Sequence, residues 1–166
     1  MVTALTREAG ELLCRQVRAG RRRRGRPVKL GDGTGIVMPD TEENQSRYPQ
    51  PSSQAEGVGF PQVRLAGVVC PSTGAVLDAA VGPYAGKGSG ELSLNRRLED
   101  VFQAGDVFLA DALYCNYFLV VRLQARGIGV LFEQNGARNT DFRRGERLGT
   151  RDHLARWENP KRDPSG

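Results

Sequence analysis

The segment GDVFLADALYCNYFLVVRLQARGIGVLF, residues 105–132, constrains the fold more than any other part of the chain. Asp106–Ala110 reads as a short apolar strand closed by Asp111. Tyr114–Arg126 is apolar on most sides and reads as a buried helix stopped by Gly127, after which Ile128–Phe132 returns as a strand. Strand, buried helix and strand in that order make a β-α-β unit, whose crossover is right-handed and whose strands pair in parallel.

The rest of the chain must join this unit. Val63–Val69 and Ala75–Val81 alternate as strands around Pro71-Ser72-Thr73-Gly74, which has turn chemistry, so they predict an antiparallel hairpin. Val28–Met38 reads as a further strand, distorted at its GDGTG centre because glycine in a strand often marks a bulge or a close approach. Antiparallel strands first and parallel ones afterwards predict an α/β fold with a mixed sheet. Leu94, Leu98, Val101 and Phe102 recur at helical spacing before Gly105, and residues 3–17 form an amphipathic helix on Leu5, Leu12, Leu13 and Val17. Residues 39–61, with Pro39, Pro49, Pro51 and Pro61, read as a long surface loop. From Gly136 onward the chain is polar and basic, and Leu154 and Trp157 hint at one more strand. With 166 residues the chain can bury one core; a second full domain would be a stretch.

Charge and rare residues narrow the chemistry. Lys and Arg number 24 against 19 Asp and Glu, a net +5 that favours a polyanionic partner. The run RAGRRRRGRPVK holds Arg18, Arg21, Arg22, Arg23, Arg24, Arg26 and Lys29 without one acid. Such a block repels itself and is expected to be exposed, either as a solvated linker or as a phosphate-binding segment. No apolar stretch approaches the roughly 18 residues of a membrane span, and no signal-peptide pattern opens the chain, so a cytoplasmic protein is expected. Cys14, Cys70 and Cys115 form neither a C-x-x-C pair nor a disulfide framework, and the single His153 sits in a polar segment. Any metal must therefore sit on carboxylates, which selects hard ions such as Mg²⁺ or Mn²⁺.

Two acids stand out. Asp32 lies inside an apolar strand pattern and Asp111 ends one. A buried ionised carboxylate costs several kcal/mol unless it is paired or binds a metal. Taken singly, Asp32 serves a turn and Asp111 caps the helix near Tyr114. Taken together, two carboxylates on neighbouring strands can hold divalent ions that activate an attacking oxygen on a phosphodiester, while a basic surface holds the nucleic acid.

The stretches VKLGDGTGIVMPDTEENQSRYPQPSSQ, GFPQVRLAGVVCPSTGAVLDAAVGPYAGKGSGE and GDVFLADALYCNYF resemble the DDE transposases of bacterial insertion sequences, in the insertion-sequence-4 group. The resemblance runs from about Arg15 to Trp157. It implies an incomplete ribonuclease-H-like mixed sheet flanked by helices. On this reading residues 1–27 are an N-terminal helix and basic linker. Residues 28–133 form a partial catalytic core, and residues 134–166 begin a β-rich insertion or a basic tail. It further implies that Asp32 and Asp111 are the first two acids of an Mg²⁺- or Mn²⁺-binding triad. The implied partner is double-stranded DNA at transposon ends, acted on by a nucleoid-associated bacterial protein that is a homo-oligomer when intact.

The sequence also departs from the family. The third acid of the triad belongs to a Tyr-x-x-Arg-x-x-x-Glu pattern, and residues 112–166 contain none; Glu133, Glu146 and Glu158 lack that context. The arginine often found after the second Asp is Ala112 here. The chain thus reads as a transposase fragment whose activity is lost, and the alternative is a non-catalytic DNA-binding remnant. GPYAGKGSG is no P-loop: three residues, not four, separate Gly82 from Gly86-Lys87, and Gly88 follows. Lys87 is read instead as a surface lysine near DNA, alongside Arg21, Arg22, Arg23, Arg24 and Arg26. Tyr48 and Phe60 read as loop packing, and Tyr114, Tyr117 and Phe118 as core.

Overall fold

The computed structural model describes the chain except for residues 1, 18–21, 56, 87, 137, 139, 151 and 161–166, and the side chains of residues 2 and 3. Its centre is a five-stranded mixed sheet of β1 (Val28–Val37), β2 (Gln62–Cys70), β3 (Ala75–Pro83), β4 (Val107–Ala110) and β5 (Gly129–Phe132), in the order β3-β2-β1-β4-β5. The predicted hairpin is β2 and β3, turned at Gly74 with φ +72°. The predicted parallel unit is β4 and β5, joined through α4 (Tyr117–Ala125) and paired Val107 to Gly129 through Ala110 to Phe132. β1 is antiparallel to β2 and parallel to β4, so it is the strand at which the sheet changes sense.

Three helices line one face of this sheet. α1 (Val2–Arg15) lies against β3, where Gly10 lets the two backbones close; a Cβ there would stand 2.5 Å from the Val76 carbonyl oxygen. α3 (Glu91–Arg96) continues into a 3₁₀ turn at Glu99–Val101, and Leu94, Leu98, Val101 and Phe102 are all buried as their spacing predicts. α4 is capped by Asn116, whose side chain accepts from the Phe118 and Leu119 N–H groups, and it seats Leu119 and Leu123 in the same core. Replacing Asn116 with alanine is expected to cost about 1 kcal/mol in urea unfolding, because two end donors of α4 lose their acceptor.

Strand alternation sends Leu30, Asp32, Thr34 and Ile36 to the opposite face. That face carries Leu65, Val69, Val76, Val81 and Leu131 with no described helix over it, and Val76, Val81 and Leu131 are exposed.

The structure corrects several expectations. β1 pairs with β2 without a break from Leu30 to Val37, so its glycines do not distort it; the register shift falls between Val68 and Val69 instead. The loop 39–61 contains a short helix, α2 (Glu42–Arg47), because the Thr41 hydroxyl accepts from the Asn44 N–H and two glutamates occupy the first turn. The helix expected from Tyr114 begins at Tyr117, and a 3₁₀ turn over Ala112–Tyr114 precedes it. The hinted late strand is a hairpin, β6 (Glu146–Gly149) with β7 (Asp152–Leu154). Lys29 does not share the exposure of the basic run: it is 5% exposed, and its Nζ lies 2.7 Å from Asp106 Oδ2. Of the aromatic trio only Tyr114 is buried; Tyr117 and Phe118 are half-buried, Tyr117 against Trp157.

The three cysteines are unpaired thiols. Burial, reinforced by neighbouring Cys70, pushes the Cys14 thiol up to about 11. No helix among the described residues is long and apolar enough to cross a membrane.

Candidate functional site

The parallel pairing of β1 with β4 runs toward the two aspartates. Val28 pairs with Val107, Lys29 with Phe108 and Leu30 with Leu109. Carried on by two residues, that register sets Asp32 beside Asp111, and Asp111 keeps extended backbone at φ −75° and ψ −173°. Adjacent strands run about 4.8 Å apart, and register partners in parallel strands point to the same side. Strand alternation puts Asp32 on the face of β1 away from the helices, and Asp111 directly follows the end of β4.

They are exposed, contrary to the burial expected from their apolar surroundings. Each accepts one local N–H on Oδ1, Asp32 from Gly33 at 2.8 Å and Asp111 from Leu113 at 2.9 Å. Asp111 thus does cap a 3₁₀ turn, and this local role coexists with its position beside Asp32. Among the described residues no salt bridge neutralises either group, and no three or more carboxylate, thiol or imidazole side chains are grouped so as to hold a metal ion. What remains is an open edge of carboxylate oxygens, a donor set suited to Mg²⁺ or Mn²⁺ rather than to softer ions.

Beside this edge lies an open cleft of about 420 Å³ lined by Gly33, Gly35, Arg64, Tyr84, Glu91 and Leu113, among others. Arg64 stacks over the Tyr84 ring at 4.7 Å. Glu91, the first residue of α3, reaches into the space where Gly33 has no side chain; a Cβ at Gly33 would stand 2.3 Å from its Cδ. Glu91 Oε1 and the Tyr114 hydroxyl are buried neighbours. Burial, then hydrogen bonding to the Glu91 carboxylate and its charge, and then Asp111 and Asp32, raise the Tyr114 hydroxyl well above the usual phenol range. Sequence reasoning missed Glu91. Its one local signal is its place directly after the glycine-rich link 82–90, and its nearness to β1 emerges only from the packing of α3.

Among the described residues the basic run before β1 is not gathered at this edge, whereas Arg64 lines the cleft beside it. Arg23 and Arg26 close a tight turn by mutual backbone hydrogen bonds of 3.0 Å, with Arg24 and Gly25 at φ +50° and +80°. The turn precedes β1, so about 16 Å of extended strand separates it from Asp32. Arg23 and Arg24 are exposed. Arg26 is committed to the fold, donating to the Gly105 carbonyl from Nε and to the Asp106 carbonyl from Nη2, both at 2.7 Å. Arg22 donates to the Arg15 carbonyl at 3.2 Å. Arg21 and Lys87 lie outside the described residues. Arg138 reaches the turn after β4, donating to the Cys115 carbonyl at 2.9 Å, and stacks on Trp157 at 3.3 Å.

Compared with known proteins, the chain matches no family model, no curated protein and no solved structure.

Proposed function

We propose that this chain carries a transposase-type catalytic core that binds DNA, with a ribonuclease-H-like sheet and a carboxylate edge for divalent metal at Asp32 and Asp111. The observation that supports this most is the parallel register of β1 on β4, Leu30 beside Leu109, which carried on by two residues sets Asp32, in the middle of β1, level with Asp111, 79 residues on and just past the end of β4. The strand order β3-β2-β1-β4-β5, with its first three strands antiparallel and its last pairs parallel, agrees with that sheet type. Asp32 and Asp111 would hold the ion, which when bound supplies Lewis-acid activation of an oxygen attacking a DNA phosphodiester. Arg23 and Arg24, at the other end of β1, can neutralise phosphates of the same duplex.

The 166-residue chain is expected to bind DNA without cutting it, since residues 112–166 offer no third acid in the Tyr-x-x-Arg-x-x-x-Glu context. In fluorescence anisotropy with a labelled duplex, dissociation constants of roughly 10⁻⁶–10⁻⁴ M near physiological salt are expected, weakening steeply as salt rises. Replacing Arg23 and Arg24 with alanine should flatten the logarithmic salt dependence by about one for each phosphate that is no longer neutralised. Binding that is absent or indifferent to salt would overturn the DNA reading. Plasmid nicking in Mg²⁺ or Mn²⁺ that disappears in Asp111→Asn would overturn the inactivity and leave the site assignment standing.

A further inference from the structure

We propose that Cys14 and Cys70 are a redox-active pair: a hydroperoxide entering beside Cys14 converts the two thiols to a disulfide that latches α1 onto the central sheet.

The fold brings the two sulfurs together from separate elements. Cys70 ends β2 on the helix-covered face, where Ala66 and Val68 are also buried. Cys14 lies one turn after Gly10 on α1. A disulfide needs a close approach of two backbones, and Gly10 permits one: a Cβ there would stand 3.1 Å from Leu77 Cδ2 on β3, the strand beside β2. Both cysteines belong to one buried core cluster, and the Cys14 S–H donates to the Cys70 sulfur.

Access separates this pair from inert core thiols. Cys14 is 8% exposed and lines a cavity of about 80 Å³ with Arg15, Arg22, Lys29 and Asp106, whereas Cys70 is sealed at 1%. Such a cavity admits a molecule of hydrogen peroxide size. The sulfurs also differ in kind. Burial opposes ionisation of Cys70, but the Thr73 hydroxyl, the Cys14 S–H and the Ser72 and Thr73 N–H groups donate to its sulfur and together bring it below the usual thiol range. Cys14, buried and donating to that sulfur, is raised. Cys14 thus meets the oxidant, and Cys70 is the thiolate that accepts its proton and later resolves it.

The steps balance. Cys14 passes its proton to Cys70 and its sulfur attacks one peroxide oxygen; the O–O bond breaks, leaving a sulfenic acid on Cys14 and a hydroxide. That hydroxide takes the proton from Cys70 and becomes water. The Cys70 thiolate then attacks the Cys14 sulfur, the S–S bond forms, the S–O bond breaks, and the departing hydroxide takes a solvent proton as the second water. The thiols lose two electrons and the peroxide gains them.

The test uses the full wild-type chain, treated with hydrogen peroxide, unfolded in urea with iodoacetamide and digested with trypsin. Peptides 8–15 and 65–87 should appear joined by a bond that dithiothreitol cleaves, with peptide 98–122, which carries Cys115, outside the bridge. Alkylated Cys14 and Cys70 without a bridge would overturn the proposal, as would a bridge running to Cys115. The same oxidation performed in urea should give less of the 8–15 to 65–87 product, and an equal yield would mean that the fold does not place the sulfurs together. The oxidised chain should also show a higher urea midpoint than the reduced one, because the bond restricts the unfolded state, and dithiothreitol should reverse the shift. An unchanged or lower midpoint would overturn the latch.

Discussion

Replacing Asp106 with alanine is expected to destabilise the chain by about 3–5 kcal/mol, because it strands the Lys29 ammonium in the interior. The pair is well made. Both side chains are 7% exposed, and Lys29 Nζ stands 2.7 Å from Asp106 Oδ2 and donates to the Val101 carbonyl at 2.6 Å. Asp106 Oδ2 in turn accepts from the Gln103 N–H at 2.8 Å. Asp106→Asn isolates the charge from the shape, and it should retain most of the loss. By contrast, the double replacement Lys29→Met with Asp106→Leu removes both desolvated charges, so it should lie closer to wild type than either single variant. Urea unfolding followed by circular dichroism at neutral pH measures all three. A loss of less than about 1 kcal/mol in Asp106→Ala, the range of exposed ion pairs, would mean that water reaches the ammonium in solution.

The consequence extends beyond stability. Lys29 sits three residues before Asp32 and Asp106 five before Asp111, so this ion pair pins the starts of β1 and β4 to each other. It thereby holds the register that aligns the two aspartates. On the proposed metal reading, a weakened pair should also lower Mn²⁺ affinity in a calorimetric titration of the full chain.

How much of this is legible in the sequence depends on the range of the interaction concerned. The β2-β3 hairpin and the β4-α4-β5 unit follow from local alternation, turn residues and an apolar run, and each lies within one contiguous stretch. The chemistry of Asp32 and Asp111 and the family resemblance suggest that the two belong together, but their alignment depends on a parallel contact between distant segments. Lys29 misleads because charge patterning treats each residue by its neighbours in sequence, and its partner Asp106 comes from a segment far along the chain. Glycine usually weakens a strand, which is why β1 reads as distorted. Here Gly31 and Gly33 are where Phe108 and Glu91 come close, and the strand stays regular because its partners supply the missing bulk. The surrounding prolines hide α2, although Thr41 followed by Glu42 and Glu43 is a start signal. The one local signal of Glu91, its place after the glycine-rich link 82–90, does not set it apart, since a glutamate at the head of a helix is ordinarily a favourable surface charge.

Phe108→Ala is the second large effect expected, a loss of about 3–5 kcal/mol. Its ring is fully buried, with centroids 4.5 Å from Phe102, 5.2 Å from Phe132 and 5.6 Å from Tyr114, so it joins β4 to β5 and to the two turns that bracket β4. Above it lies Gly31, where a Cβ would stand 2.4 Å from the ring edge. Gly31→Ala alone should then cost about 1–3 kcal/mol by overpacking, since a ring held on three sides cannot withdraw. With Phe108 already replaced by alanine the new methyl group enters vacated space instead. The two changes together should therefore destabilise less than their sum, with a coupling of about 0.5–3 kcal/mol in a double-mutant cycle. The chemical midpoint in urea, measured for the four proteins of the cycle, decides this. Strict additivity would mean that the ring does not rest against β1 and that Gly31 is required for another reason. Positive coupling would mean that the glycines of β1 are sites of close approach, first to Phe108 and, two residues on, to Glu91. The same cycle run on Gly33→Ala and Glu91→Gln should then couple more weakly, because a flexible glutamate can yield where a packed ring cannot.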